Sequence, residues 1–146
     1  MAEYYCLFSV DVKLRKGKQP AARELMDEGM RVRREMDAAG EDTWDHGFDF
    51  DYTWDDAGHL TIYSEEHGCA DHAVSFIETL VRNKIAIAPV AFYWANTCSK
   101  PRWGEFDGGG ALITREKTYW YIPRVLIDNK WAQIKKEQAM PKKRKR

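Results

Sequence analysis

The stretch from residue 48 to residue 64 constrains the fold most. Phe48, Phe50, Tyr52 and Trp54 fall on one side of an extended chain, and Asp49, Asp51, Thr53 and Asp55 on the other. Asp55-Asp56-Ala57-Gly58 has the polar and glycine chemistry of a hairpin turn. The return strand, 59–64, puts Leu60 and Ile62 inward and His59, Thr61 and Tyr63 outward. Four aromatic rings on one face are costly in water, so that face must be covered.

The flanking segments supply the cover. Residues 3–13 alternate, with Tyr4, Cys6, Phe8, Val10 and Val12 on one side, and read as a half-buried strand. Pro20 opens a helix on which Ala22, Leu25, Gly29, Val32, Met36 and Ala39 recur at steps of three and four, and Gly40 is its stop. A second helix spans 70–83 through Ala73, Phe76, Ile77, Leu80 and Val81. Residues 86–95 are apolar throughout, as in a strand covered on both faces. The order β-α-β-β-α-β predicts an α+β fold of ferredoxin-like plan at 1–95, with strand order 4-1-3-2 and the FDFDYTW strand at an edge. After it, 96–110 read as a loop, 111–114 and 118–122 as a hairpin around Arg115-Glu116-Lys117, and Pro123 as the start of a short amphipathic helix with Leu126, Ile127, Trp131 and Ile134. This appendage, 96–136, is expected to pack on the same domain, and 137–146 to form a disordered basic tail.

The 146 residues carry 23 basic and 23 acidic side chains, a balance that hides a strong polarity. Residues 36–81 hold twelve acids and no Lys or Arg, whereas 82–146 hold fifteen bases and five acids. Asp49 and Asp51 are expected on the open sheet face beside Tyr63, with Asp55, Asp56, Glu65 and Glu66 nearby. Carboxylates there oppose the RNA-recognition use of this plan, which sets aromatic and basic residues on that face. They make either a solvated surface that keeps an edge strand from pairing, or a face for a basic partner. Three cysteines at no regular spacing argue against a disulfide framework and for a reducing compartment. No stretch approaches a membrane span, and the start of the chain lacks signal-peptide features.

Two segments carry side chains capable of chemistry. In WANTCSKPRWGEFDGGGA, Lys100 and Arg102 are candidate anion ligands and the glycines a place for close backbone approach. With Arg115, Lys117 and the PKKRKR tail they form the alternative of a nucleic-acid-binding module. Cys98 as a nucleophile would need a base, and every histidine is remote in sequence; a buried small hydrophobe is its plainer role. His67, Cys69, Asp71 and His72 are metal-capable, yet lack the two separated ligand pairs of a zinc site, and Cys69 or Asp71 more simply marks a helix start. No metal or cofactor is expected. Trp103, Trp120 and Trp131 sit near basic residues, as interface aromatics do, although core packing of the appendage is the more common explanation.

The strings Trp94-Ala95-Asn96-Thr97-Cys98-Ser99-Lys100-Pro101-Arg102 and Glu105-Phe106-Asp107-Gly108-Gly109-Gly110-Ala111 resemble a motif of small uncharacterised phage and mobile-element proteins. The likeness covers about 18 residues and extends loosely back to about residue 46. It implies an accessory protein acting in the cytoplasm of a bacterial host cell, where small acidic-faced proteins often look like inhibitors of defence nucleases. The resulting expectation is a non-enzymatic, anti-CRISPR-like binding protein. Its basic host partner would be met by Asp49, Asp51, Asp55, Asp56, Tyr63, Glu65 and Glu66. Nuclear residence is expected only if the PKKRKR tail acts as a localisation signal.

Overall fold

A computed structural model describes residues 3–40, 47–100 and 107–139. Six strands and three helices alternate as β1 (Tyr4–Val12), α1 (Gln19–Ala39), β2 (Asp51–Trp54), β3 (Leu60–Ser64), α2 (Ala70–Arg82), β4 (Val90–Cys98), β5 (Asp107–Ile113), β6 (Thr118–Tyr121) and α3 (Pro123–Ala139). The strands form one antiparallel sheet in the order β2-β3-β1-β4-β5-β6, a mixed α+β architecture. β1 lies between β3 and β4, and β2 is at an edge, as the sequence pattern predicts. β5 and β6 extend the sheet beyond β4 and move the second edge to β6.

Alternation decides which side of the sheet is dry. Phe8, Val10 and Val12 of β1, Leu60 and Ile62 of β3, and Val90 and Phe92 of β4 are buried on one face. Against them pack Ala22 and Met26 of α1 and Ala73, Val74, Ile77, Leu80 and Val81 of α2. Each large apolar side chain so buried contributes roughly 1.5–3 kcal/mol. The aromatic side of the β2 segment does face the helices. Phe48 and Phe50 are buried just ahead of the regular strand, Phe76 of α2 packs on both, and Tyr52 and Trp54 are half-buried. Arg23 of α1 lies over the Trp54 ring, 4.3 Å from its centroid.

Three expectations need correction. β4 is not covered on both faces: Ala91, Tyr93 and Ala95 are exposed, because α1 and α2 both pack on the opposite face. Nor are residues 96–110 a loop throughout. Asn96–Cys98 continue β4 and pair with β1, and Asp107–Gly110 pair with β4. Finally, α3 is longer than expected and, although it adjoins β5, adds nothing to the core. None of its residues is buried, and Leu126, Ile127 and Trp131 are all more than half exposed.

The glycine triplet has a packing role. A Cβ on Gly109 would stand 2.5 Å from the Trp94 ring and 2.9 Å from the Tyr121 carbonyl oxygen, and one on Gly108 would meet the Trp94 carbonyl. The glycines therefore admit a neighbouring ring and neighbouring backbone, so that Trp94 can meet Trp120 edge-on at 6.0 Å.

Candidate protein interface

The acidic residues of the hairpin lie along the β2–β3 edge. Asp51 is directly opposite Tyr63 on the open face, and Thr53 is opposite Thr61. Glu65 and Glu66 follow β3 and are exposed; the Glu66 carbonyl accepts the Cys6 N–H at 2.7 Å, which holds this stretch against β1. Gly68 N–H donates to the buried Ser64 Oγ at 2.8 Å and turns the chain towards α2. At the other end of the hairpin Asp56 is exposed in the turn. From Asp51 to Asp56 is about 15 Å of extended chain.

Two of the expected contact residues have other partners. Asp49 is not on the open face. It lies outside the regular strand, with its N–H donated to His72 Nδ1 at 3.2 Å, its carbonyl accepting the Cys69 N–H at 2.7 Å, and its carboxylate 3.8 Å from Arg33 of α1. Arg33 also donates to the Phe48 and Phe50 carbonyls at 3.4 Å, which pins the segment to the helix. Asp55 closes the turn. Its Oδ1 accepts the His59 N–H at 2.8 Å and its Oδ2 lies 2.7 Å from His59 Nδ1. The His59 N–H first, and the imidazole after it, hold the Asp55 carboxyl below the ordinary aspartate range. Asp51, Asp56, Glu65 and Glu66 have no ion-pair partner among the described residues. A recess of about 290 Å³ opens where Arg33, Asp49, Asp51, Glu65, Glu66 and His67 meet. Four carboxylates and one arginine make it electronegative.

The alternative anion ligands are not brought together. Lys100 lies just beyond Cys98 at one end of the β4–β5 ladder, and Arg115 and Lys117 form the β5–β6 turn at the other. The separation is about 25 Å along the strand. Arg102, like Trp103 and the tail, lies outside the described residues. Lys117 Nζ sits 4.3 Å from the Tyr119 ring centroid. Cys98 is buried at 7% exposure and paired with Tyr4, as a small packing residue would be. Burial also pushes the Cys6 thiol up. His67 donates from Nδ1 to the Tyr4 carbonyl at 2.9 Å and stacks on Tyr5. Cys69 precedes α2 and Asp71 lies in its first turn. Among the described residues no three His, Cys, Asp or Glu side chains gather where they could hold a metal ion. None of the described helices is long and apolar enough to cross a membrane.

Sequence reasoning missed the aromatic half of the open face. Tyr93 is 71% exposed, and Tyr121 lies on the same face, reached through Gly110, which is paired with both. The period-two pattern of β4 carried that signal, masked by the apolar character of both of its faces. Comparison with protein-family models, with curated proteins and with solved structures returned no significant match.

Proposed function

We propose that the chain is a non-enzymatic binding protein of the phage or mobile-element kind, an inhibitor or anti-defence factor resembling anti-CRISPR proteins. In this reading, β1 to β4 with α1 and α2 form a ferredoxin-like unit. Its acidic β2–β3 edge enters the basic groove of a host nucleic-acid-handling protein. One observation carries it: Asp51, Glu65 and Glu66 gather at one end of the hairpin, with Asp56 exposed at its turn, and among the described residues no cation is paired to any of the four. Charges left uncompensated at an edge raise the encounter rate with an oppositely charged groove and set its register. Tyr63, half-buried opposite Asp51, adds an aromatic contact of the sort that anchors interfaces.

The test is a pull-down from bacterial lysate with the full chain, with and without nuclease. A basic nucleic-acid-handling protein should be captured stoichiometrically after nuclease treatment. The Asp51→Lys, Glu65→Lys double variant should lose it. Equal capture by the variant, or capture that vanishes with nuclease, refutes the reading.

A further inference from the structure

The topology also collects the cations of three separate segments at one end of the sheet. β1 runs out through Lys13 and Arg15 into the Arg15-Lys16-Gly17-Lys18 turn, closed by the Lys18 N–H on the Arg15 carbonyl at 3.0 Å. The α2–β4 connection, with Arg82 and Lys84, is stitched to it. Arg15 N–H donates to the Ile85 carbonyl at 2.9 Å, and Ile87 N–H to the Lys13 carbonyl at 2.8 Å. The β5–β6 turn, with Arg115 and Lys117, stands beside the last turns of α2, where Glu78 takes both the Thr118 hydroxyl and Arg82. We propose that this end is a nucleic-acid backbone-binding surface, on which Lys13, Arg15, Lys16, Lys18, Lys84 and Arg115 meet phosphates without reading sequence.

Several independent features point to an anionic ligand there. None of these six cations has an ion-pair partner among the described residues, and Arg15 Nε is buried with no hydrogen-bond partner. A guanidinium nitrogen left unbonded inside the protein is costly, and it leaves the Arg15 charge without a protein partner. Lys84 sits at φ 57 in the left-handed region just after α2, a position that glycine serves better. A lysine held there spends local stability to present its charge. Lys18 is the N-cap of α1, with no side-chain cap and no acid in the first turn, so the free N–H groups of that helix add positive potential. Acids stand among these cations: the Asp55–Gly58 turn lies against Gln19, next to Lys18, and Glu116 sits between Arg115 and Lys117, so cations outnumber carboxylates at this end without excluding them.

The choice of a phosphate backbone over an acidic peptide rests on residue type and spread. Four of the six are lysines, point charges that make no bidentate demand. The three segments lie at the ends of neighbouring strands about 5 Å apart, so their cations spread over a surface broader than a single carboxylate would fill. This surface is at the opposite end of the hairpin from the acidic recess, so it does not depend on the reading of that edge.

The experiment is fluorescence anisotropy of the full chain with a labelled mixed-sequence DNA duplex of roughly 20 base pairs, across a salt series from about 50 mM. Binding should weaken linearly in log–log form. Neutralising Lys13, Lys16, Lys84 and Arg115 to Gln should cut affinity at least about tenfold and flatten the slope by about 3–4. Circular dichroism should show both chains equally folded. The same loss should appear in a chain whose tail cations, Lys142 to Arg146, are all Gln. Lys84→Gly should raise the melting temperature while weakening the duplex. No binding at low salt overturns the proposal. So does a slope unmoved by the four substitutions, or affinity that resides wholly in the tail.

Discussion

The Phe48 ring occupies the space that a side chain on Gly29 would need: a Cβ built on Gly29 runs into the edge of the ring. Gly29 stands mid-way along α1, where glycine costs about 1 kcal/mol against alanine. Here the close approach of Phe48 requires it. Phe48 in turn is held in an aromatic cluster with Phe50, Tyr52 and Phe76, so it has little room to give. Gly29→Ala should therefore destabilise the fold by about 1–2 kcal/mol despite the gain in helix propensity, lowering Tm by about 3–6 °C. A thermal melt checks it, and a stabilised variant would show that the ring is not seated there.

The Asp55 turn should respond to acid. The folded carboxyl is depressed, so its contribution is complete above the ordinary aspartate value of 3.8 and is lost as pH falls through the lower folded value. Wild type should be more stable than Asp55→Ala from neutral pH down to about 4, and the difference should close below that. Denaturant midpoints of both chains across this range test it. A gap that persists in strong acid would mean that the carboxylate is not what closes the turn.

Gly109 offers a second steric test, on the part of the sheet that extends past β4. Glycine normally weakens a strand, so alanine should help there. Instead a Cβ would press on the Trp94 ring and the Tyr121 carbonyl. Gly109→Ala is expected to cost about 1–3 kcal/mol and to shift tryptophan emission as the Trp94–Trp120 contact opens. Unchanged emission and stability would place Trp94 elsewhere.

Much of the fold was legible because its signals are local and periodic. Val10 and Val12, Leu60 and Ile62, and Ala73, Ile77 and Leu80 all mark buried faces by spacing alone. What failed depends on distant partners. The extension of β4 through Asn96–Cys98 is specified by pairing with Tyr4–Cys6, about 90 residues away in sequence. The glycine triplet reads as a loop until Trp94 is placed beside it. Asp49 fits the alternation of its neighbours, yet Arg33 and His72 engage it from two helices. The basic end was invisible as a unit because its cations come from both ends of a chain whose middle is acidic.

α3 is the element whose sequence and setting agree least. Its apolar residues Val125, Leu126, Ile127 and Trp131 are spread around the helix and at least half exposed, and Arg124, 4.0 Å from Asp107, is its ionic link to the sheet. A 17-residue helix of this length is marginal without tertiary burial, and side-chain bonds such as Gln133 to Glu137 at 2.8 Å add only tenths of a kcal/mol each. α2, by contrast, buries Ala70, Ala73, Val74, Ile77, Leu80 and Val81. Amides of α3 should therefore exchange with deuterium at least about 100-fold faster than those of α2, at a rate independent of protein concentration. If α3 is instead protected, and more so as concentration rises, a second copy covers its apolar side chains and the solitary helix is an assembly element.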